Sequence, residues 1–319
     1  MKNYIYRVIS ILILLAACKD APKEKSTLSI IPSATTATKK NYSEKLADYW
    51  YQGKAEISSY DLQQARYGDI HPGEAVLVFV SEDFLTDKQV KNDNYTNKNS
   101  IPILKNNFLR KFTTGIYDYS IMTSVFTPAN AKEFPQTSKV TISSQDWCGQ
   151  SFMQINQQKN KYKVQLRSYF ENEGDKDFTI NNALLEDEIF NRIRMNPDAL
   201  PTGKIQVIPS STIVRLMHLE MQPMMVTVTK QTYEGTDFEG EDLVAYEIDY
   251  PTLKRKLTIV YQQKAPFIIE GWTDKYTALS RKQLTTTATR KKTILSPYWR
   301  QNGTKDVRLR KELELTTFE

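Results

Sequence analysis

The sequence predicts a mainly β protein, with one antiparallel domain that is barrel-like or built of two sheets and contains one or two short helices. Short segments that alternate apolar and polar residues recur along the chain, which is typical of antiparallel strands with one wet face. Gly, Pro or Asp separates most of these segments, as the turns of a barrel or a sandwich require. A signal peptide and a disordered tether are expected before the domain.

The first twenty residues have the layout of a secretory signal. Lys2 and Arg7 precede a short apolar run at residues 8–17 that ends in small residues. The run is about half the ~20 residues that a membrane-spanning helix needs. Leu15-Ala16-Ala17-Cys18 resembles the lipobox of a bacterial lipoprotein signal. That resemblance implies cleavage after residue 17 and lipid attachment to Cys18; an ordinary secretory signal with a chance cysteine is the alternative.

Residues 18–40 are expected to form an acylated cysteine and a flexible tether. The segment is rich in Ser, Thr, Ala and Lys, a composition that does not support a packed core. A coil of this length spans roughly 25 Å root-mean-square. Lys19-Asp20 resembles the charged signal that sends some lipoproteins to the cell surface, although Ala21 stands in place of a second acid. The expected location is therefore the outer membrane, facing either the periplasm or the cell surface.

The β domain is expected over residues 41–319, with a subdivision near residue 197 as an alternative. His71 lies between Gly68 and Gly73, which predicts a turn. The first half is expected to contain a Ser43-capped helix at 44–50, strands at 50–60 and 74–80 (the second buried on both faces), a solvated loop at 86–100, a hairpin at 108–126, and strands at 139–144, 151–156 and 162–170. In the 108–126 hairpin, the side chains expected to share one face are Phe112, Ile116, Tyr119 and Met122.

A helix near 183–196 interrupts the β pattern. Apolar residues recur there at helical spacing, with acids in the first half and arginines near the end, as the helix dipole favours. Asn181 or Asn182 is expected to cap it, and Pro197 to stop it. The segments predicted as strands after it are 205–208, 212–217, 224–232, 243–250, 257–262, 266–272, 283–294 and 307–315.

Charge and cysteine content exclude several functional classes. The formal charge is +6, and removal of Lys2 and Arg7 with the signal lowers it further, so the chain lacks the basic surplus of a nucleic-acid-binding protein. Two cysteines, one of them Cys18, leave no intrachain partner for Cys148, which excludes a disulfide framework. No cofactor motif is present, and two histidines leave few options for a metal site.

The most unusual stretch of the domain is Asp146-Trp147-Cys148-Gly149-Gln150. Cys148 is a candidate nucleophile or redox thiol with Asp146 nearby, but such a thiol needs a base or a cation. The alternative, and the expectation here, is a small thiol buried beside Trp147 at a strand bend. His71 is a candidate for proton transfer or ligation, or else an exposed loop histidine. His218 is expected on a strand, partly buried.

Two acidic clusters and a methionine group complete the candidates. The acids near residues 175–188 and 234–242 suit calcium or a carboxylate pair for glycoside cleavage, or else they are charged loops and a helix N-terminus. Met217, Met221, Met224 and Met225 straddle a turn and either line an apolar ligand pocket or fill gaps in the core.

The segment at residues 50–60, the following residues 66–71 and the 146–150 stretch together resemble an uncharacterised group of bacterial envelope lipoproteins. Members of that group are sometimes labelled septum formation inhibitor Maf. True Maf nucleotide pyrophosphatases carry an N-terminal Ser-x-Ser-Pro-Arg-Arg motif that this chain lacks, so the label does not fit.

Three functional hypotheses follow. The first is a non-enzymatic envelope lipoprotein, held to the membrane by lipid on Cys18, whose β domain binds an apolar small molecule or an envelope protein. The second is an envelope hydrolase or thiol enzyme that uses Cys148 or a carboxylate pair. The third is a purely structural envelope module. No cofactor, metal or nucleic-acid partner is expected.

Overall fold

The computed structural model describes residues 48–317. The predicted signal peptide, the lipid attachment at Cys18, the tether and most of the first predicted helix lie outside the described residues. Residues 48–50, the end of that helix, are helical.

The strands are β1 (Ala55–Arg66), β2 (Asp69–Leu85), β3 (Val90–Lys91), β4 (Ser100–Thr114), β5 (Tyr117–Pro128), β6 (Lys139–Asp146), β7 (Gly149–Gln158), β8 (Lys161–Ser168), β9 (Lys176–Asn181), β10 (Leu184–Leu185), β11 (Gly203–Ile208), β12 (Met224–Thr232), β13 (Leu243–Tyr250), β14 (Arg255–Gln262), β15 (Ile269–Thr277) and β16 (Gln283–Ser296). The α-helices are α1 (Ile189–Met195), α2 (Ser211–Met217) and α3 (Arg308–Glu312). The 3₁₀ turns are Glu186–Glu188, Pro197–Ala199, Pro251–Leu253, Tyr298–Arg300 and Thr304–Val307.

All the strands belong to one 16-stranded sheet. The order is β10-β11-β12-β13-β14-β15-β16-β1-β2-β4-β5-β6-β7-β8-β9, with β3 beside β2. The pairings are antiparallel except that of β10 with β11. Two meanders, one from each half of the chain, therefore meet where β1 pairs with β16. Strands before and after residue 197 belong to this one sheet. Within the described residues, the predicted alternative of two sheets does not form.

The concave face of the sheet encloses a single large core. Tyr60 of β1, Tyr162 of β8 and Tyr246 of β13 are far apart in the strand order, yet they belong to one cluster of buried side chains. The sheet is therefore strongly curved. Strands β9 and β10 stand at opposite ends of its order and are not paired with each other. The mainly β, antiparallel prediction is confirmed, in its barrel-like form.

Residues 184–200, which we call the crossing segment, pass through this interior. Phe190 of α1 lies 5.3 Å from the ring of Phe108 and 5.5 Å from that of Trp272, measured between ring centroids. Ile189 and Ile193 are fully buried. Each such side chain contributes about 1.5–3 kcal/mol through burial, which fixes the short helix against the sheet.

The crossing segment contains the helix predicted near 183–196, but the predicted caps are wrong. The first turn is the 3₁₀ turn Glu186–Glu188, and Asn181 belongs to β9. The sequence placed Asn181 or Asn182 as a cap because asparagine suits that position. Pairing with β8 claims the backbone of Asn181 instead.

Two predicted strands are helices. Residues 212–217 form α2 because Ser210 caps it, accepting a hydrogen bond from the backbone N–H of Ile213 at 3.3 Å. Almost every side chain of α2 is buried, so the apolar run carries no period that separates helix from strand. Residues 307–315 contain α3, and Leu313 covers Val78 and Val80 on the outer face of β2. Residues 74–80 are thereby covered on both faces, as predicted.

The turn predicted around His71 is also wrong, because β2 runs from Asp69 through Gly73. Gly73 serves close strand approach rather than a turn: a Cβ there would lie 2.3 Å from the carbonyl oxygen of Lys111. The hairpin around Gly115 is confirmed. Of the side chains expected on its buried face, however, Ile116 and Met122 are exposed, because Ile116 occupies the turn and Met122 the outer face.

Within residues 48–317, no helix is both long enough and apolar enough to cross a membrane.

Candidate functional site

A cavity of about 1060 Å³ lies between β9, at the end of the sheet order, and the chain that leaves α2. Strands β6–β9 form one wall, and α2 with residues 218–222 forms the other. The apolar side chains that line it are Ile142, Met153, Leu166, Phe170, Phe178, Ile180, Val214, Leu219 and Met221.

The cavity exists because the core runs out of side chains toward one end of β8 and β9. Tyr162 and Val164 are fully buried, whereas Leu166, next on the same face of β8, is half-buried. On β9, Ile180 is buried and Phe178 is half-buried. Inward-facing residues here therefore line a space instead of packing against an opposite strand.

Arg215 is the buried cation of this site. Its Nε donates to Ser151 Oγ at 2.7 Å, and its Nη2 faces Asp146 Oδ2 at 3.5 Å. Its Nη1 is buried without a hydrogen-bond partner among the described residues. The guanidinium carbon lies 4.5 Å from the centroid of the Phe170 ring. Arg215 thus ties α2 to the β6–β7 hairpin and to the β8–β9 turn, which form the cavity wall.

His218 closes the same side. It is the C-cap of α2, with a left-handed φ of 52°. Its Nδ1 lies 2.5 Å from Glu173 Oε1, and its ring packs against Phe170 at 4.9 Å. The strand predicted for His218 is wrong, because α2 ends there and turns the chain toward the β8–β9 turn.

The charged residues around the cavity are mostly acidic. Four carboxylates line it, Glu171, Glu173, Asp177 and Glu220, against the two cations Lys176 and Arg215. Arg215 is already opposed by Asp146. An apolar interior with an acidic border suits an apolar molecule or a neutral amphiphile better than an anion.

Cys148 is exposed, so the prediction that it is buried is wrong. It sits with Trp147 in the two-residue turn of the β6–β7 hairpin, at the end of these two strands. Asp146 Oδ1 accepts a hydrogen bond from the Cys148 backbone N–H at 2.8 Å and so shapes the turn. Within residues 48–317, no hydrogen bond joins the thiol to His71 or His218.

The other two predicted site residues separate. The Asp146 side chain is buried and belongs to the cavity wall through Arg215. His71 lies on β2 opposite Gln64 of β1, and its Nε2 is buried without a hydrogen-bond partner among the described residues. The structure therefore brings Asp146 and His218 to one site, and His71 lies elsewhere on the sheet.

The predicted acidic clusters and methionine group also divide. The acids Glu186–Glu188 lie at the N-terminus of α1, as one alternative predicted, but they are buried in the interior, while most of residues 234–242 are exposed. The described part of the chain contains no group of three or more His, Cys, Asp or Glu residues suited to hold a metal ion. Of the four methionines, Met221 lines the cavity and Met225 is exposed.

Glu186 belongs to a buried ionic cluster that holds the crossing segment to the sheet. Arg255 of β14 donates to both Glu186 oxygens at 2.6 Å, and its Nε donates to Asp274 at 2.7 Å. Tyr250 donates to Glu186 at 2.6 Å. Burial alone would raise the pKa of Glu186, but the charge and hydrogen bonds of Arg255 outweigh it and lower that pKa.

Asp187 and Arg110 border the same cluster, around a cavity of about 20 Å³. Burial raises the pKa of Asp187 to about 7, against the opposing effect of hydrogen bonds from Ser211. Burial lowers the pKa of Arg110, whose guanidinium stacks on Phe108 at 4.2 Å. This cluster is nearly filled by its own side chains, which indicates a structural role.

The sequence patterns did not point to Arg215, to Glu173 or to the wall that β9 forms. Only Ser210, as an N-cap, could have signalled a helix at residues 211–217. That helix carries Val214 and Arg215. That the β8–β9 turn meets this helix depends on sheet curvature, which has no local signal.

The chain is similar to the crystal structure of a beta-barrel-like protein of domain of unknown function DUF1849 from Brucella abortus, with 10% sequence identity and a TM-score of 0.44. The similarity covers 76% of this chain and 98% of that one. No protein-family model and no curated protein matches the chain.

Proposed function

We propose that this protein is a non-enzymatic lipoprotein of the outer membrane whose β domain binds an apolar or neutral amphiphilic ligand in the cavity beside β9. The observation that carries the proposal is the cavity itself, about 1060 Å³ with a mostly apolar wall. Pockets that hold small ligands are of about 300–1,000 Å³, mainly apolar with a few placed polar groups. The polar groups here are Arg215 and the His218–Glu173 pair.

Burial of the ligand's apolar body supplies the binding energy in this proposal. Apolar surface contributes about 25 cal/mol per Å² removed from water. A chain-like apolar molecule placed against Met153, Phe178 and Met221 would exclude water from side chains that now line an open space. Its polar end would lie near His218, at the border of the cavity.

Binding can be measured with the neutral dye N-phenyl-1-naphthylamine, whose fluorescence rises in an apolar site. Met221→Trp places an indole in the cavity, and we expect it to weaken dye binding roughly tenfold, which corresponds to about 1.4 kcal/mol. Val214→Trp provides a second filling variant. Met225→Trp is the matched control, because Met225 is exposed on β12. If both filling variants bind the dye as the parent does, the cavity is not the binding site.

The acidic border predicts which amphiphile competes best. Lauroylglycerol should displace the dye at a several-fold lower concentration than laurate, because laurate brings a negative charge to the four carboxylates. Added salt should narrow the difference by screening these charges. A preference for laurate would contradict the proposed ligand class.

The anchoring part of the proposal rests on Leu15-Ala16-Ala17-Cys18. Cys18→Ala should leave an uncleaved precursor without lipid, detected by mass spectrometry and by its release from the membrane fraction. Cys148→Ala is the control and should be processed as the parent is. Normal acylation of the Cys18→Ala chain would refute the assignment of the lipid to Cys18.

A further inference from the structure

Five hairpin turns at one end of the sheet each expose a large apolar side chain. The exposed fractions are 37% for Tyr67 (β1–β2), 78% for Ile116 (β4–β5), 68% for Trp147 (β6–β7), 69% for Tyr169 (β8–β9) and 49% for Leu279 (β15–β16). We call these five residues the turn rim. In an antiparallel meander alternate turns lie at the same end, so the strand order alone brings them together.

Contacts between neighbouring turns show that the turn rim is continuous. The backbone N–H of Ser280, beside Leu279, donates to the carbonyl oxygen of Tyr67 at 3.1 Å. The Tyr67 hydroxyl in turn accepts a hydrogen bond from Tyr117 at 2.8 Å. This bond raises the pKa of Tyr117, and the nearby thiol of Cys148 adds to the effect.

The next two turns also touch. A Cβ on Gly149 would lie 2.9 Å from the Tyr169 ring, so Tyr169 packs on the hairpin that carries Trp147. Phe170, the next residue, contacts His218 at the cavity. The turn rim therefore extends from the β15–β16 turn to the border of the ligand cavity.

The opposite end of the sheet differs in composition. It exposes Val90 and Tyr95 in one loop and Tyr298 and Trp299 after β16, each by 36–43%. Its β7–β8 turn is Lys159-Asn160 and its β12–β13 turn is largely charged, and none of its apolar side chains reaches the exposure of Ile116, Trp147 or Tyr169. Exposed apolar side chains that form a contiguous patch mark an interaction surface. The five tips thus distinguish one end of the molecule from the other.

We propose that the turn rim inserts into the interface of a lipid bilayer, so that the cavity border beside it faces the membrane. Trp and Tyr prefer the bilayer interface, where an apolar ring and a polar group are both accommodated, and Ile and Leu add buried apolar area. Side chains on separate hairpin tips can enter the headgroup layer independently. A flat protein interface would need a matching partner surface for each of them.

The charges near the turn rim are mixed. Arg281 and Lys282 follow Leu279, while Glu171, Glu173 and Asp175 follow Tyr169. Insertion therefore depends on apolar burial and not on anionic lipid. Insertion of the turn rim goes beyond the proposed ligand binding and does not require a ligand in the cavity. It would be a second contact with the membrane, besides the proposed lipid on Cys18.

Cys148 provides a label within the turn rim. In the full chain with Cys18→Ala it is the single cysteine, and it is exposed beside Trp147. A nitrobenzoxadiazole dye on Cys148 reports entry into lipid by a blue shift and by quenching from spin-labelled lipid in phosphatidylcholine vesicles. The matched control carries Cys18→Ala, Cys148→Ser and Asn160→Cys, which moves the dye to the opposite end of the sheet.

We expect a blue shift and quenching for the dye at Cys148 and no change for the dye at Asn160→Cys. Comparing the two positions removes any contribution of residues 1–17, which are present in both chains. Ile116→Ser with Tyr169→Ser should reduce the shift at Cys148 several-fold, whereas Val90→Ser with Tyr95→Ser should not. Equal responses at both positions, or no response at Cys148, would overturn the proposal. Either result would do so even if a protein were later found to bind the turn rim. Dye binding in the cavity is measured separately, so the two proposals can fail independently.

Discussion

At the scale of single residues, the interior of the sheet depends on one guanidinium. Arg255 is 2% exposed and directs its nitrogens at Glu186 and Asp274, one on the crossing segment and the other on β15. Burial raises the pKa of Asp274 despite the bond to Arg255, which shows how strongly this environment opposes charge. A buried carboxylate is tolerated there only because a counter-charge with matched geometry faces it.

Arg255→Met should destabilise the fold by about 3–5 kcal/mol, because it leaves Glu186 and Asp274 buried without a counter-charge. The free energy of unfolding in urea measures this loss. Lys264→Met removes a cation whose ion pair with Asp242 is exposed, and it should leave the unfolding midpoint unchanged. Equal midpoints for parent and Arg255→Met would mean that the cluster does not hold the crossing segment.

The raised pKa of Asp187 leads us to expect that the stability of the fold depends on pH. Its pKa is about 7 in the folded protein and 3.8 as the reference value, so the folded state holds a proton that the unfolded chain releases. The resulting stability is fully present below about pH 4 and is lost as the pH rises through 7.

Asp187→Asn should remove that dependence, because an amide oxygen still accepts hydrogen bonds from Ser211 and carries no charge. As the pH rises from about 4 to about 8, the thermal unfolding midpoint of the parent should fall relative to that of the variant. Glu186 and Arg110 face Asp187 and are common to both chains, so the difference isolates Asp187. Parallel midpoint curves would contradict the assignment of a raised pKa to Asp187.

At the scale of elements, strands and helices differ in how visible they are in the sequence. Strands such as β8 alternate buried and wetter positions and were predicted closely. Helix α2 was not, since its short run is buried nearly all round and its one polar signal is Ser210 before it. With only seven residues it depends on that cap and on packing.

Ser210→Ala should cost about 1 kcal/mol, because the backbone N–H of Ile213 loses its partner. Chemical denaturation measures the loss, and Ser210→Thr, which retains the hydroxyl, should restore most of it. Because α2 forms one wall of the cavity, dye binding should weaken in Ser210→Ala along with stability. Full stability in the alanine variant would show that packing alone fixes α2.

At the scale of the whole molecule, β16 joins the two ends of the chain. It pairs with β15 on one side and with β1 on the other, so the two meanders form one sheet through it. Because these pairings join strands that are far apart in the sequence, we expect the two meanders to unfold together.

A chain that ends after Lys282 should fail to show a cooperative thermal transition by circular dichroism, because it lacks β16 and leaves two strand edges unpaired. A chain that ends after Thr317 keeps β16 and Leu313 and is the matched control; it should unfold as the parent does. Cooperative unfolding of the shorter chain would mean that the two meanders fold without each other.

The sequence by itself determined the class of the fold and the positions of most strands along the chain, since alternation and turn residues are local signals that follow from the pleat. It also predicts lipid attachment at Cys18, which stays a prediction. The sequence also pointed to Asp146, but as a residue near Cys148. In the structure its side chain faces Arg215 instead.

Only the tertiary structure decided which turns meet and where the core leaves space. The cavity between β9 and α2, the pairing of His218 with Glu173 and the continuous turn rim all depend on the curvature of one sheet. Curvature is the sum of small twists over many strands, so no short stretch of residues encodes it. Exposure of Cys148 has the same origin, because a turn is buried only when another element reaches it.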